Sequence, residues 1–181
     1  MVYVYLAEGF EEVEALTTVD VLRRAGVEVQ TVSITGNKAV RGSHGITVEA
    51  DILFVNADHE NCEMLVMPGG LPGAEYLQNH TGLKEQIQRF ARENRNIAAI
   101  CAAPMMLGAH GVIAGRRATI YPGMEEKLVG GTATGEAVTV DGNIITGQGP
   151  AKAMAFALAL VEHLKGRGVR DEVAAGLLFE K

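Results

Sequence analysis

The sequence has no tryptophan, few aromatic residues of any kind (5% of the chain) and only two cysteines, Cys62 and Cys101. Two thiols cannot staple a secreted scaffold, so free cysteines in a reducing compartment are expected. Basic residues are in deficit as well: 16 Lys+Arg against 22 Asp+Glu leave a formal net charge of -6. Clustered Lys and Arg are what hold a phosphate polyanion, so general nucleic-acid binding is excluded. The longest apolar runs, Ile97 to Ala109 and Ala153 to Val161, fall short of the roughly 20 residues needed to span a bilayer, and Pro104 interrupts the first. Met1 to Ala7 carries no basic leader before the acidic Glu11, Glu12 and Glu14. The expectation is a cytoplasmic chain with no membrane partner. The five histidines, His44, His59, His80, His110 and His163, form no zinc spacing with the cysteines. Gly147-Gln148-Gly149-Pro150 is glycine-rich but is neither a Walker loop nor a dinucleotide fingerprint. No metal and no cofactor is expected, and His59 to Glu63 reads as a solvated polar loop.

What is present is a regular alternation. In a chain of 181 residues, 48% hydrophobic, short β-rich apolar runs alternate with segments of helical period. That is the pattern of βα units around a mainly parallel sheet, here as one domain spanning 1–181. Val2 to Ala7 predicts the first strand. Glu11 to Ala25 predicts a helix with Ala15, Leu16, Val19 and Leu22 on its apolar stripe, stopped by Gly26. Val27 to Ile34 reads as a strand, and Ala39 to Phe54 as a hairpin or antiparallel edge appended to the core. Met64 to Met67 and Ile97 to Ile100 read as buried strands on either side of a helix at Leu83 to Asn94. Pro104 suits the first turn of a short helix interrupted by Gly108 and Gly111. Ala118 to Tyr121, Ala137 to Val140 and Ile144 to Thr146 follow as strands, the last two joined by Asp141-Gly142-Asn143. Pro150 opens a long helix through Leu164, and a shorter one starts at Arg170.

Open α/β sheets place their chemistry beyond the carboxyl ends of the strands. Three exits stand out: Gly9 before the acidic turn, Pro68-Gly69-Gly70, and Ile100-Cys101-Ala102-Ala103-Pro104. A cysteine at a tight strand-to-helix turn projects its sulfur off the sheet, and the following N–H groups favour thiolate. The pattern alone leaves Cys101 two readings, an activated nucleophile or a small buried hydrophobe. Gly69 and Gly70 are equally a plain turn or a backbone whose amides approach a developing oxyanion. Glu11, Glu12 and Glu14 suit the dipole of a first helical turn whatever their function, and two of the three read as surface acids. Were Glu14 to face Cys101, burial would hold it protonated and able to exchange protons with a thiolate or substrate.

Gly9-Phe10-Glu11-Glu12-Val13-Glu14-Ala15, Val19 to Gly26, Met67-Pro68-Gly69-Gly70, Ala98 to Pro104 and Gly149-Pro150 occur together and in this order. In these segments the chain resembles, over nearly its whole length, the ThiJ/PfpI superfamily and most closely its DJ-1 branch. The resemblance implies a flavodoxin-like three-layer α/β/α sandwich, usually a homodimer. It further implies Cys101 as nucleophile, Glu14 as a protonated acid touching its sulfur, and the amides of Gly70 and Ala102 as oxygen donors. Gly69, Ala103, Tyr121, His44 and Gln148 are the remaining pocket candidates.

The activities it implies are cofactor-independent conversion of small reactive carbonyls such as methylglyoxal or glyoxal, repair of early glycation adducts, and oxidative-stress sensing through Cys101 sulfinate with a chaperone-like role. Weak amidase or peptidase action is a third reading. Two positions depart from the family. Tyr121 stands where many relatives carry a histidine, which argues against a Cys-His dyad, a phenol being a poor base near neutrality. His44 and Gln148 stand where close relatives carry basic side chains, which weakens the case for an anionic ligand. The downstream His-x-Glu of class I glutamine amidotransferases is missing. Met105, Met106, Met124 and Met154 are read as core or interface filler.

Overall fold

In the computed structural model, which describes residues 1–179, the alternation read from the sequence becomes a seven-stranded sheet between two layers of helices. The elements, in order, are β1 (Val2–Leu6), α1 (Glu12–Arg24), β2 (Val29–Ser33), β3 (Ala39–Arg41), β4 (Thr47–Glu49), β5 (Ile52–Leu53), β6 (Met64–Met67), α2 (Gly73–Asn79), α3 (Thr81–Arg92), β7 (Asn96–Ile100) and α4 (Pro104–Ala109). They continue with β8 (Arg117–Ala118), β9 (Thr132–Ala133), β10 (Val138–Asp141), β11 (Ile144–Gly147), α5 (Ala153–Lys165) and α6 (Arg167–Gly176). The sheet order is β10-β11-β7-β6-β1-β2-β5. Every pairing in it is parallel except β10 with β11, the hairpin expected at Asp141 to Asn143.

The period-2 alternation of each strand divides its side chains between two cores. Tyr3, Tyr5, Leu65, Met67, Ile97 and Ala99 face α2, α3 and α4, where they meet Leu77, Leu83, Ile87, Phe90 and Met106. Val2, Val4, Met64, Val66, Ala98 and Ile100 face α1, α5 and α6, where they meet Leu22, Phe156, Leu160 and Val161. Strands covered on both faces read as continuous apolar runs, which is why they were legible. Strand order reverses between β1 and β6. The crevice at such a reversal, at the carboxyl ends of β1, β6 and β7, is where this fold class binds ligands.

Several expectations need correction. The buried stripe of α1 is rotated: Ala15, Val19 and Leu22 are buried as expected, but Leu16 is 39% exposed. Glu14 takes a place on the buried face with Thr18 and Val21, because α1 packs against both the sheet and its neighbour α5, which widens the buried face beyond one stripe. The region after Ala39 is two structures. β3 and β4 form a separate antiparallel ribbon, while β5 joins the main sheet in parallel beside β2. Of the expected strand at Ala118 to Tyr121 only Ala118 is extended ladder, in β8, paired with β9. Beyond it the Thr119 N–H donates to the Thr146 hydroxyl and the Tyr121 N–H to the Cys101 carbonyl, so the segment follows the site instead of a neighbour strand. α2 was not anticipated. The Pro150 segment starts as a 3-10 turn, Pro150–Lys152, before α5.

In the loop from His59 to Glu63, Glu60, Asn61 and Glu63 are exposed as expected, but His59 and Cys62 are buried. The His59 ring lies parallel to Tyr5 with its Nε2 3.0 Å from the Tyr5 hydroxyl, and Arg89 and Arg95 each donate to the His59 carbonyl. Burial drives His59 toward its neutral form, with the Arg89 charge acting in the same direction.

Candidate active site

Three adjacent strand exits build the site. β7 ends at Cys101, whose φ of 64° is a left-handed conformation that L-residues adopt at a local cost of about 1–2 kcal/mol. The position is fixed on both sides: the Cys101 N–H donates to the Gly147 carbonyl (2.9 Å) and its carbonyl accepts from Tyr121 N–H (2.9 Å). The residue is 8% exposed, buried but still in contact with the surface. Ala103, which caps α4, is fully buried in the core and does not line an opening.

β6 leads into Gly69 and Gly70. Gly70 has φ +85°, and a Cβ there would sit 2.4 Å from the Glu11 nitrogen. A glycine is therefore required for both conformation and space. Gly69 lies between the Cys101 and Glu14 side chains, since a Cβ on it would lie 2.6 Å from Cys101 Cβ and 2.8 Å from Glu14 Oε2. The third exit supplies α1. Its Glu11 N–H donates to the Gly69 carbonyl (2.9 Å), tying the helix start to the glycine turn.

Glu14 is completely buried. Its Oε2 accepts the Gly69 N–H at 2.8 Å, and Oε1 has no hydrogen-bond partner. An unpartnered carboxylate oxygen in a dry site favours the protonated acid. Burial accordingly pushes Glu14 up to about 7, against the downward pull of the Gly69 amide and the Cys101 thiol; the Glu11 charge adds to the rise. The same surroundings push Cys101 up to about 12, through burial first and then the Glu14 carboxylate beside it; the Ala102 and Gly70 amides pull it down. The Ala102 amide before α4 thus acts toward thiolate, as the sequence suggests, but burial and Glu14 outweigh it. The two groups are coupled: each disfavours the other's anion, and the sulfur holds its proton more tightly than the carboxyl. When Glu14 is protonated, the negative neighbour that disfavours thiolate is gone and the two amides remain.

The other acids were also misjudged. Glu11 is 9% and Glu12 4% exposed, because the loop after β3 folds over them. Glu12 Oε1 accepts from the His44 N–H (2.8 Å), while Oε2 meets His44 Nδ1 (3.0 Å) and the Ser43 hydroxyl (3.2 Å). Burial alone would raise its pKa, but its own backbone N–H, the His44 ring and N–H, and the Ile46 N–H bring it down to about 2. The Glu12 contact raises that of His44. Gly42 makes room for this clamp, since a Cβ there would lie 2.3 Å from Glu12 Oε1. Among the described residues, Glu11, Glu12 and His44 alone have ligand atoms within 4.8 Å of one another. Their contacts form an ion-paired clamp between loop and helix. His44 thus turns toward Glu12. Gln148 donates to the Gly135 carbonyl (3.1 Å), and Tyr121 is half-exposed beside Gly149. No helix among the described residues is long and apolar enough to cross a membrane.

Two predictions follow from the packing of this pair. Gly69→Ala, which drives a methyl between sulfur and carboxyl, is expected to lower stability by about 1–3 kcal/mol and to slow alkylation of Cys101. Urea melts and alkylation rates matching those of the native protein would contradict the geometry. The second concerns pH. Below pH 4.5 Glu14 is neutral in both folded and unfolded chains; from there to about 7 the unfolded chain loses the proton that the folded one keeps. Stability must fall as pH rises across that window and level off above it. Glu14→Gln has no such term, so its stability relative to the native protein should rise by about 3 kcal/mol over the window. A pH-independent difference would show that Glu14 ionises as an ordinary surface acid.

The family model described as the DJ-1/PfpI family matches residues 1–163. Protein DJ-1 homolog A of Arabidopsis thaliana is 38% identical, the match covering 98% of this chain but 46% of that protein, so the chain spans less than half of that relative. Protein dj-1beta of Drosophila melanogaster is also 38% identical, over 97% of this chain and 95% of that one. The structure of Toxoplasma gondii DJ-1, described as oxidized, superposes with a TM-score of 0.96 at 35% identity, covering 99% of this chain and 98% of the other. With sequence and backbone agreeing from the first strand to the last helix, the chain belongs to the DJ-1/PfpI family, in its DJ-1 branch, and its sheet and helices form that branch's flavodoxin-like sandwich.

Proposed function

We propose that the protein is a cofactor-independent, cysteine-dependent glyoxalase or deglycase acting on methylglyoxal, glyoxal or early glycation adducts. The observation that carries this reading is the buried Glu14 carboxyl, with one oxygen unpartnered, set against the Cys101 elbow. A carboxyl pushed up to about 7 can give and take a proton near neutrality, which is what an internal redox rearrangement of an α-oxoaldehyde requires.

The productive form is the minor one in which the proton sits on Glu14 and the sulfur is a thiolate, since the sulfur otherwise holds its proton more tightly than the carboxyl does. The sulfur bonds to the aldehyde carbon of methylglyoxal while the carbonyl oxygen takes the Glu14 proton, giving a hemithioacetal. Glu14, now a carboxylate, removes the hydrogen from that carbon, and the electron pair moves into the carbon–carbon bond to leave an enediolate. The Gly70 and Ala102 amides, aimed at the sulfur, supply N–H donors for the negative oxygen. Glu14 returns the proton to the adjacent carbon, and the hemithioacetal hydroxyl proton passes to the neighbouring oxygen. The product is a lactoyl thioester on Cys101. Water then breaks the carbon–sulfur bond, its hydroxyl going to the acyl carbon and its proton to the Glu14–Cys101 pair. The sum is methylglyoxal plus water to lactate and a proton.

A second reading has its own support. The same two amides could hold the oxygens of a Cys101 sulfinate formed with two equivalents of peroxide, and the similar Toxoplasma protein is described in an oxidized state. One experiment separates the two. Lactate formation from methylglyoxal without glutathione should be abolished in Cys101→Ala and lowered about 10²- to 10⁴-fold in Glu14→Gln. Native rates equal to those of Cys101→Ala, with a gain of two oxygens on Cys101 after mild peroxide, would replace the enzyme with the sensor.

A further inference from the structure

The two peptide bonds that fix Cys101 also shape what lies beside it. Gly147, whose carbonyl accepts the Cys101 N–H, leads directly into Gln148, Gly149 and Pro150; Tyr121, whose N–H donates to the Cys101 carbonyl, leads into Pro122. These two segments, each one hydrogen bond from the Cys101 backbone, line a groove of 340 Å³ together with Ala151 and Lys152. That volume falls within the roughly 300–1,000 Å³ of ordinary small-molecule sites. The Tyr121 ring is 48% exposed and borders Gly149, where even a Cβ would come within 3.4 Å of ring carbon Cδ2. Bare backbone thus supports the inner side of the ring.

The groove offers little to a charged substituent. Gln148 directs its carboxamide to the Gly135 carbonyl (3.1 Å) and its N–H to the Ala137 carbonyl (3.0 Å). Lys152 is exposed, where its charge is solvated. What remains facing the groove is an aromatic ring and two proline rings, surfaces suited to a flat apolar group.

We propose that this groove is the subsite for the substituent on the reacting carbonyl, and that the Tyr121 ring is a specificity-determining wall favouring aryl over methyl α-oxoaldehydes. The proposal rests on the reading of Cys101 as the nucleophile. It assigns the chemical class of the substituent, not the reaction.

The test uses two pairs of probes on the full-length chain. Phenylglyoxal and methylglyoxal compare turnover through kcat/KM; iodoacetanilide and iodoacetamide compare simple alkylation of Cys101, followed by peptide mass. The native protein should prefer the aryl member of each pair. Tyr121→Ala should cut both preferences about 3- to 10-fold, the range expected for losing one aromatic contact, while Tyr121→Phe should keep them. Equal preferences in the native protein and Tyr121→Ala would overturn the proposal, as would an equal loss in Tyr121→Phe, which would assign the effect to the hydroxyl. An aryl preference in alkylation without turnover of either aldehyde would uphold the subsite and remove the glyoxalase reading. Methylglyoxal turnover without aryl preference would do the reverse.

Discussion

The buried contact between the Glu14 carboxyl and the Cys101 sulfur, in which each group disfavours the other's anion, is the constraint on which the rest of the site depends. Glu14 has no solvent, one amide donor and one unpartnered oxygen. Left ionised, it would oppose the thiolate next to it; protonated, it becomes a donor to that thiolate. The glycines at the end of β6 exist in this light as spacers, Gly69 letting sulfur and carboxyl approach and Gly70 letting the glycine turn lie against the start of α1. The left-handed Cys101 is the backbone counterpart, held by Gly147 on one side and Tyr121 on the other.

A second charged arrangement supports the first. Glu12 is buried, strongly acidic and bound to the loop carrying Ser43 and His44, so the ribbon of β3 and β4 is fastened over the beginning of α1. Two glutamates two residues apart therefore end in opposite protonation states. The difference is in their donors. Glu12 receives several N–H and O–H groups, which stabilise the anion, whereas Glu14 receives one amide and has the Cys101 thiol as its other neighbour.

The layers and most strands were legible because a parallel sheet covered on both sides leaves unbroken apolar runs such as Met64 to Met67, bounded by glycine and proline. The elbow was visible as a location, and the family pattern supplied the roles of Cys101 and Glu14. Burial of the acids was not visible, because three glutamates in a first helical turn satisfy the helix dipole whether solvated or not. Their covering comes from Gly42 to Ile46, thirty residues downstream in a ribbon with no periodic link to α1. His59 was misread for the same reason. Its charged neighbours Asp58 and Glu60 suggest solvent, whereas Tyr5 and two arginines from α3 and its exit hold it down.

The central claim concerns where one proton resides, and infrared spectroscopy observes that proton without relying on turnover. Difference spectra between the native protein and Glu14→Gln should contain the carbonyl stretch of a protonated carboxylic acid that survives well above the ordinary carboxylate range and fades as pH rises through about 7. If the band is missing at mildly acidic pH, and Glu14 shows only the carboxylate signature there, the carboxyl is not the proton store this account requires.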